Sequence, residues 1–525
     1  MATVEALLGL LAACVLLALV ARGAGLPYAV VLVLGGSVLA FVPGLPKVSL
    51  DPELALAFFL PPLLMGSALR TDWRAFRASI RPILLLAVGA VLFTTFVIAV
   101  VAKYLLADLP WAAAAALGAI VAPPDAVAAS AVLQRLRISR RIVTILEGES
   151  LVNDATALVL YRFAVAAVAA GSVSVDGVGA AFAIAALGGV AIGYGFGRAL
   201  VWGTLRIDDT LLETALSFLC CFAAYLAAEA VHASGVIAVV TAGIVVGRRF
   251  TTIFSAQTRT EARAVWQFAD FVLTSLVFIL VGLQLNDILH GLAGRNPWAI
   301  GGVALALSLA LILARFLWLF PATWAPRLIP ALARRDSALS WRHTTVIAWA
   351  GMRGVVSLAA ALALPRDFPE RNLIAFLAFC AILATLVVQG TTLEWVIKRM
   401  GAEEPAHAGF DRDEADLLRI VADAALADLQ ARLDSPLDGA IAADLIQEYR
   451  DKARVFQGVA KGASRAELTA RLQMRLAALR AGRATVLAYH EASDLPDDLL
   501  VKVTQDLDFE ELRLQQLLGT GRHHG

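Results

Sequence analysis

The sequence predicts an all-α polytopic membrane protein with about 13 transmembrane helices and a small cytoplasmic helical region at its C-terminal end. Of its 525 residues, 59% are hydrophobic and only 17% are charged, too little charge to cover a soluble protein of this size. The mean hydropathy is +0.76. Residues 83–102 are almost purely apolar, and as a helix they would span the ~30 Å hydrocarbon core of a bilayer.

Apolar runs separated by polar or helix-breaking residues define the predicted spans. The first run has no basic residue before it and carries Glu5 there, which indicates a retained helix rather than a cleaved signal peptide. Long apolar runs end near Met400, so we predict a transmembrane domain over residues 1–400 and a cytoplasmic helical tail domain over residues 401–525. The thirteen predicted spans cover residues 4–21, 26–42, 53–69, 81–102, 111–133, 142–168, 177–203, 211–231, 234–247, 266–289, 298–320, 343–364 and 372–397.

The orientation of the spans is predicted from the basic residues of the short loops. If the N-terminus lies outside, 21 Lys and Arg residues fall on the cytoplasmic side of the membrane and 5 on the other side. The C-terminal tail is then cytoplasmic. Because the number of spans is odd, the first six and the last six would form two repeats of inverted topology, with the seventh span linking them.

Two spans at matching positions of these repeats are interrupted. The fifth carries Pro123 and Pro124 at its middle, and the twelfth carries Gly351 and Gly354 around Arg353. Proline removes a helix donor and clashes with the preceding turn, and glycine loosens the backbone. Matching broken helices indicate a binding site near the middle of the membrane. Ordinary proline kinks and a close-packing glycine pair are the alternative interpretation.

Acidic and polar residues cluster around these breaks. Asp125 follows the proline pair, where freed carbonyls and a carboxylate offer the hard oxygen ligands that suit a small cation. In the sixth span, Ser150 and Asp154 are four residues apart and share one helix face, so both can point at the break. The sequence therefore predicts a cation site between the fifth and sixth spans.

The remaining polar residues of this region are expected to support the site. Asn153 can hydrogen-bond and orient Asp125, and we expect Glu149 to pair with Arg353, the central cation outside the sixth span. Too few cations remain to neutralise both Asp125 and Asp154, so one of them must be protonated or hold a metal ion. A site at which a proton and a cation compete can exchange one ion for the other, which is the chemistry of an antiporter. A purely structural pairing of the acids is the alternative.

Four motifs, in this order along the chain, resemble one family of transporters. They are FFLPPLL (58–64), PPDAVAA (123–129), GESLVNDATALVLY (148–161) and WAGMRGVVSLAAALAL (349–364). Together they resemble the sodium/proton exchanger branch of the cation/proton antiporters, in particular its bacterial members, over about residues 1–400. The tail is not covered by this resemblance.

The resemblance implies a secondary transporter of the bacterial cytoplasmic (inner) membrane that serves pH homeostasis. It implies a homodimer in which a mobile core with crossed broken helices gives alternating access. The transported ions would be Na⁺, with Li⁺ or K⁺ also possible, and H⁺. A K⁺-selective antiporter is the alternative. Asn153, in the place of a second aspartate before Asp154, resembles the electroneutral branch.

The family also implies a role for each residue of the site. Asp154 would be the essential carboxylate for cation and proton, and Asp125 its partner. Ser150 and a backbone carbonyl near Pro124 would complete the metal shell, and Asn153 would orient it. Glu149 would be tied to Arg353. The cations and protons are the cargo, and no resident cofactor and no nucleic-acid partner are expected.

Other functions fit the sequence less well. An intramembrane aspartyl protease would need Tyr-Asp and Gly-x-Gly-Asp contexts, whereas Pro precedes Asp125 and Asn precedes Asp154. A channel is disfavoured because no repeated filter loop is visible. Because the protease contexts are absent, we expect that the protein is not an enzyme. The tail could regulate exchange, support dimerisation or be a solvated helical appendage.

Overall fold

The computed structural model describes most of the chain and is helical almost throughout. The one extended pairing among the described residues is an isolated bridge between Ile138 and Glu403. The described residues are 2–43, 52–125, 129, 132–133, 136, 138–170, 175–292, 294–324, 339–403, 412–433, 439–460, 465–492 and 497–518.

We number the helices in chain order. They are α1 (Ala2–Ala24), α2 (Tyr28–Leu39), α3 (Pro52–Arg70), α4 (Trp73–Ala78), α5 (Ile80–Leu105), α6 (Trp111–Val121), α7 (Arg140–Ala170), α8 (Val175–Thr204), α9 (Thr210–Ala230), α10 (Gly235–Gly247), α11 (Phe250–Ile253), α12 (Ala256–Leu283), α13 (Leu285–His290), α14 (Pro297–Trp324), α15 (Trp341–Trp349), α16 (Val355–Leu362), α17 (Arg371–Met400), α18 (Arg412–Ala431), α19 (Gly439–Ala460), α20 (Arg465–Ala492) and α21 (Asp497–Leu518).

Seven of the described helices are long and apolar enough to cross a membrane, and five further apolar helices are shorter. The chain is therefore a multi-pass membrane protein, while the count of thirteen spans stays a prediction.

Local sequence explains where several helices begin. Asp209 caps α9 by accepting hydrogen bonds from the amides of Leu211 and Leu212, and Ser234 caps α10 in the same way.

The described residues divide into two compact units, Met1–Glu403 and Glu404–Gly525. In the second unit, α18 packs against α19 and α20 packs against α21. Arg480 and Arg483 of α20 form ion pairs with Glu511 of α21. That this unit is a cytoplasmic tail domain stays a prediction.

In the first unit, the helix contacts occur in matching sets. Helix α2 packs against α12, and α10 packs against α3. Helix α1 packs against α2 as α9 packs against α10, and α5 packs against α6 as α14 packs against α15. In each comparison, the two helices of the second pair are seven predicted spans away along the chain from their counterparts in the first pair. Helix α16 contacts α3, α6, α7 and α12, which places it at the centre of the unit.

Two π-helical turns interrupt long helices near this centre. One covers Leu85–Ala90 within α5, where the indole Nε1 of Trp318 donates to the Leu85 carbonyl at 2.9 Å. The other covers Thr385–Gln389 within α17. Such turns leave backbone groups without their usual helical partners, and side chains from other helices can then bind them.

Candidate ion-binding site

The predicted twelfth span is broken as expected. Helix α15 ends at Trp349, α16 begins at Val355, and the residues between them are not helical. The break is held by the π-turn of α17, because the amide of Arg353 donates to the hydroxyl of Thr385 at 3.0 Å. The Gly-Met-Arg-Gly segment is therefore an ordered connection between two short helices.

The predicted fifth span is interrupted at the same level. Helix α6 ends at Val121, and residues 122–125 are not helical. The amide of Asp125 donates to the carbonyl of Met352 at 2.7 Å, so the two breaks contact each other through their backbones. The predicted continuation of this span, residues 126–133, lies outside the described residues apart from Ala129, Val132 and Leu133.

The carboxylate of Asp125 lies directly against Gly354. A Cβ built on Gly354 would stand only 1.9 Å from Oδ2 of Asp125, so only glycine leaves room for the carboxylate. Gly354 is also the N-cap of α16. The first amides of a helix lack intrahelical partners and carry positive partial charge, which favours a carboxylate at this place.

Asn153 reaches the break through a carbonyl. Its Nδ2 donates to the carbonyl of Pro124 at 2.8 Å, and its side chain is fully buried. The Oδ1 of Asn153 has no hydrogen-bond partner among the described residues. Asn153 was expected to orient Asp125. The structure shows that it fixes the carbonyl of the residue before Asp125.

Asp154 is a buried carboxylate, with 8% of its surface exposed. Asp125 lies within electrostatic range of it. No hydrogen bond or ion pair joins Asp154 to any residue that the structure describes. Ser150 lies on the same face of α7, one turn earlier, and is partly buried. Asp154 and Asp125 are thus neighbouring carboxylates at the crossing of the two breaks, and their role as cation ligands stays a prediction.

The expected pairing of Glu149 with Arg353 is wrong. Glu149 instead forms a bidentate ion pair with Arg315 of α14, with N–O distances of 2.6 and 2.7 Å. Both side chains are buried, with 1% of Glu149 and 3% of Arg315 exposed. Arg315 also donates from Nε and Nη2 to the carbonyl of Ile347, near the end of α15. The planar guanidinium fits both acceptors at once.

Sequence reasoning missed Arg315, although a signal existed. It lies within the predicted eleventh span, and an arginine in an apolar helix needs a buried partner. Arg353 has a different role. Its Nε donates to the carbonyl of Val121, the last residue of α6, at 2.6 Å, and its Nη1 donates to the carbonyl of Gly351. A cation at the carbonyl ends of two short helices is stabilised by their dipoles.

The oxygen atoms at this crossing belong to carboxylates, a hydroxyl and a proline carbonyl. Within the described parts of the chain, no group of three His, Cys, Asp or Glu residues could hold a metal ion. Oxygen ligands without nitrogen or sulfur suit hard cations rather than zinc or copper. The donor atoms at this crossing therefore suit a hard cation.

Comparison with known proteins identifies the family. Residues 9–399 match the family model described as sodium/hydrogen exchanger, transmembrane. The chain belongs to the sodium/hydrogen exchanger family. It is 33% identical over 509 residues to an uncharacterised Na⁺/H⁺ exchanger of Mycobacterium bovis, covering 92% of this chain and 91% of that protein.

Two further relatives agree with this assignment. The Na⁺/H⁺ antiporter ApNhaP of Aphanothece halophytica is 34% identical over 379 residues, covering 72% of this chain and 70% of that protein. The structure of the sodium proton antiporter MjNhaP1 of Methanocaldococcus jannaschii matches with a TM-score of 0.60 and 18% identity, over 76% of this chain and 99% of that one. The exchanger thus shares the MjNhaP1 fold. Its family is one of transporters, which confirms that the protein is not an enzyme.

The first prediction concerns the buried ion pair of the exchanger. Glu149→Gln and Arg315→Gln should each destabilise the folded protein by about 3–5 kcal/mol, because each leaves an unpaired buried charge. The double variant should lose less than the sum of the two. The measurement is the apparent melting temperature of the purified protein in detergent, in a double-mutant cycle.

Arg353→Gln serves as the control in this cycle. It leaves the Glu149–Arg315 pair intact, so its effect should add to that of Glu149→Gln with much weaker coupling. A stronger coupling of Glu149 to Arg353 than to Arg315 would contradict the assigned pairing.

The second prediction concerns the contact between Gly354 and Asp125. In Gly354→Ala the new methyl group would displace the Asp125 carboxylate, and the apparent KM for Na⁺ should rise at least about tenfold, the equivalent of ~1.4 kcal/mol of strain at the site. The measurement is Na⁺-dependent proton flux in proteoliposomes. Gly302→Ala is the matched control, because a Cβ there meets nothing within 4 Å. An unchanged KM in Gly354→Ala would show that the Asp125 position does not set cation affinity.

Proposed function

We propose that the protein exchanges Na⁺ for H⁺ across the bacterial cytoplasmic membrane, with the two ions competing for Asp154 and Asp125. The observation that carries this proposal is the buried Asp154, which has no partner among the described residues and lies near Asp125 at the crossing of two interrupted helices. A carboxylate in such surroundings favours either a proton or a bound cation over an isolated negative charge. Ser150 and the Pro124 carbonyl would complete the cation's ligands.

The charges around the site support an electroneutral exchange of one cation for one proton. Arg315 and Arg353 contribute two positive charges, and Glu149, Asp125 and Asp154 contribute three negative charges. A single Na⁺ or a single proton would make this group neutral. Asn153, as a neutral residue beside Asp154, adds no second exchangeable charge. Na⁺ and H⁺ are then cargo, and no resident cofactor is needed.

The matching helix contacts support two inverted repeats of six helices with α8 as the linker. In that arrangement α6 corresponds to α15 and α16, so both repeats contribute a broken helix to the site. Access would alternate between the two sides of the membrane. We further propose the orientation with the N-terminus outside and the tail in the cytoplasm, a homodimer, and a role in pH homeostasis.

The third prediction tests the function directly. In inside-out vesicles that hold an acid interior, Na⁺ should release the quench of a pH-sensitive dye, and Asp154→Asn should abolish this release. Asp108→Asn is the control, since Asp108 lies exposed in the loop before α6. Li⁺ and K⁺ are tested in the same way, and a response to K⁺ alone would identify a K⁺-selective antiporter.

Three outcomes would contradict parts of this assignment. Wild-type protein without cation-dependent proton flux at any pH would show that it is not an antiporter. Full activity of Asp154→Asn would be consistent with antiport but would contradict the assignment of Asp154 to the ion site. A flux that changes with a clamped membrane potential would contradict the one-for-one exchange.

The fourth prediction follows from competition between the ions. As pH falls on the side where Na⁺ is added, protons occupy the carboxylates, so the apparent KM for Na⁺ should rise, approaching about tenfold per pH unit for one competing proton. The maximal rate at saturating Na⁺ should change much less. A KM that does not depend on pH, together with a falling maximal rate, would indicate separate sites for the two ions.

A further inference from the structure

Four ionisable side chains that the site description does not use lie together near the first turns of α2 and α7 and the end of α3. They are Tyr28 of α2, Arg70 of α3, Glu147 of α7 and Asp270 of α12, and electrostatic interactions connect Arg70 with each of the other three. Tyr28 is also within electrostatic range of Asp125. This group therefore borders the site.

Glu147 has a particular relation to the site. It lies seven residues before Asp154, which places it two turns away on the same stripe of α7, about 10 Å along the helix. It is partly buried and has no hydrogen bond or ion pair with any residue that the structure describes. A cation that approaches Asp154 along this stripe would meet the Glu147 carboxylate first.

Asp270 is fixed between α12 and α3. Its Oδ2 accepts from Nη1 of Arg70 at 2.5 Å, and its other oxygen lies over Gly66, where a Cβ would stand 2.7 Å from Oδ1. The absence of a side chain at Gly66 lets the carboxylate lie flat on α3. The Asp270 side chain is 21% exposed, and its two oxygens contact Arg70 and α3.

Arg70 has more freedom. Its side chain is 52% exposed, and among the described residues the carboxylates of Asp270 and Glu147 lie within its electrostatic range. In the structure Asp270 holds the guanidinium. Without that carboxylate, Glu147 remains as a negative charge within electrostatic range, and a long flexible arginine side chain can turn toward it.

We propose that Asp270 is a positioning residue for transport: it holds the Arg70 guanidinium on α3 and so keeps the α7 stripe from Glu147 to Asp154 open to cations. Released from Asp270, Arg70 would pair with Glu147 and cancel the negative charge on the approach to Asp154. Losing a negative charge about 10 Å from the site lowers the local cation concentration and weakens cation binding. This inference rests on the proposed cation exchange.

The fifth prediction is an asymmetric pattern of variants. Asp270→Asn should raise the apparent KM for Na⁺ about tenfold with the maximal rate near that of the wild type. Arg70→Gln should leave KM close to the wild-type value, because no guanidinium remains to pair with Glu147. The double variant Arg70→Gln with Asp270→Asn should restore the low KM, and Asp270→Glu should retain it. The measurement is Na⁺-dependent proton flux in proteoliposomes at fixed pH.

A merely structural ion pair gives a different pattern. Both single variants would then impair folded yield or maximal rate alike, and the double variant would restore nothing. That result, or an unchanged KM in Asp270→Asn, would overturn the proposal. Since wild-type flux is measured in the same vesicles, its absence would instead reject the exchange itself, so the two failures are distinguishable.

Discussion

The hydrogen bond from the Asp125 amide to the Met352 carbonyl is the contact on which the rest of the site depends. An interrupted helix inside a bilayer frees backbone groups that lipid cannot bind, and each unpaired group costs several kcal/mol. Here each break supplies partners for the other. The Arg353 side chain binds the end of α6, and Asn153 binds the carbonyl of Pro124. These hydrogen bonds compensate for the interrupted helices, so the breaks and the carboxylates beside them are stable within the membrane.

Helix α7 carries acids of two kinds, and its geometry keeps them apart. Glu149 and Asp154 are five residues apart, which separates them by about 140° around the helix. Glu149 faces α14, where Arg315 binds both of its oxygens. Asp154 is left with Asp125 as its electrostatic neighbour. A neutralised acid and the acid proposed to exchange its proton or cation thus lie within two turns of each other.

Much of this arrangement could be predicted from the sequence, because it follows from local rules. Proline and glycine pairs in apolar runs indicate breaks, and a four-residue spacing places Ser150 beside Asp154. The partner of Glu149 could not be predicted so simply. It depends on which helix packs against α7, and no spacing within α7 contains that information. The same holds for Asn153, whose amide binds a carbonyl one residue away from the carboxylate that it was expected to orient.

The strengths of the polar contacts decide which helices can move together. Breaking the buried Glu149–Arg315 pair would cost about 3–5 kcal/mol, and Arg315 also binds α15 through Ile347. The bonds of Arg353 and Asn153 add further polar contacts from the two breaks to α6, α7 and α17. The Arg162–Glu229 pair, which connects α7 to α9, is 54% and 30% exposed and contributes at most about 1 kcal/mol. Were Asp154 to move in the proposed alternating-access cycle, the weak pair to α9 would break before the buried contacts to α6, α14 and α15.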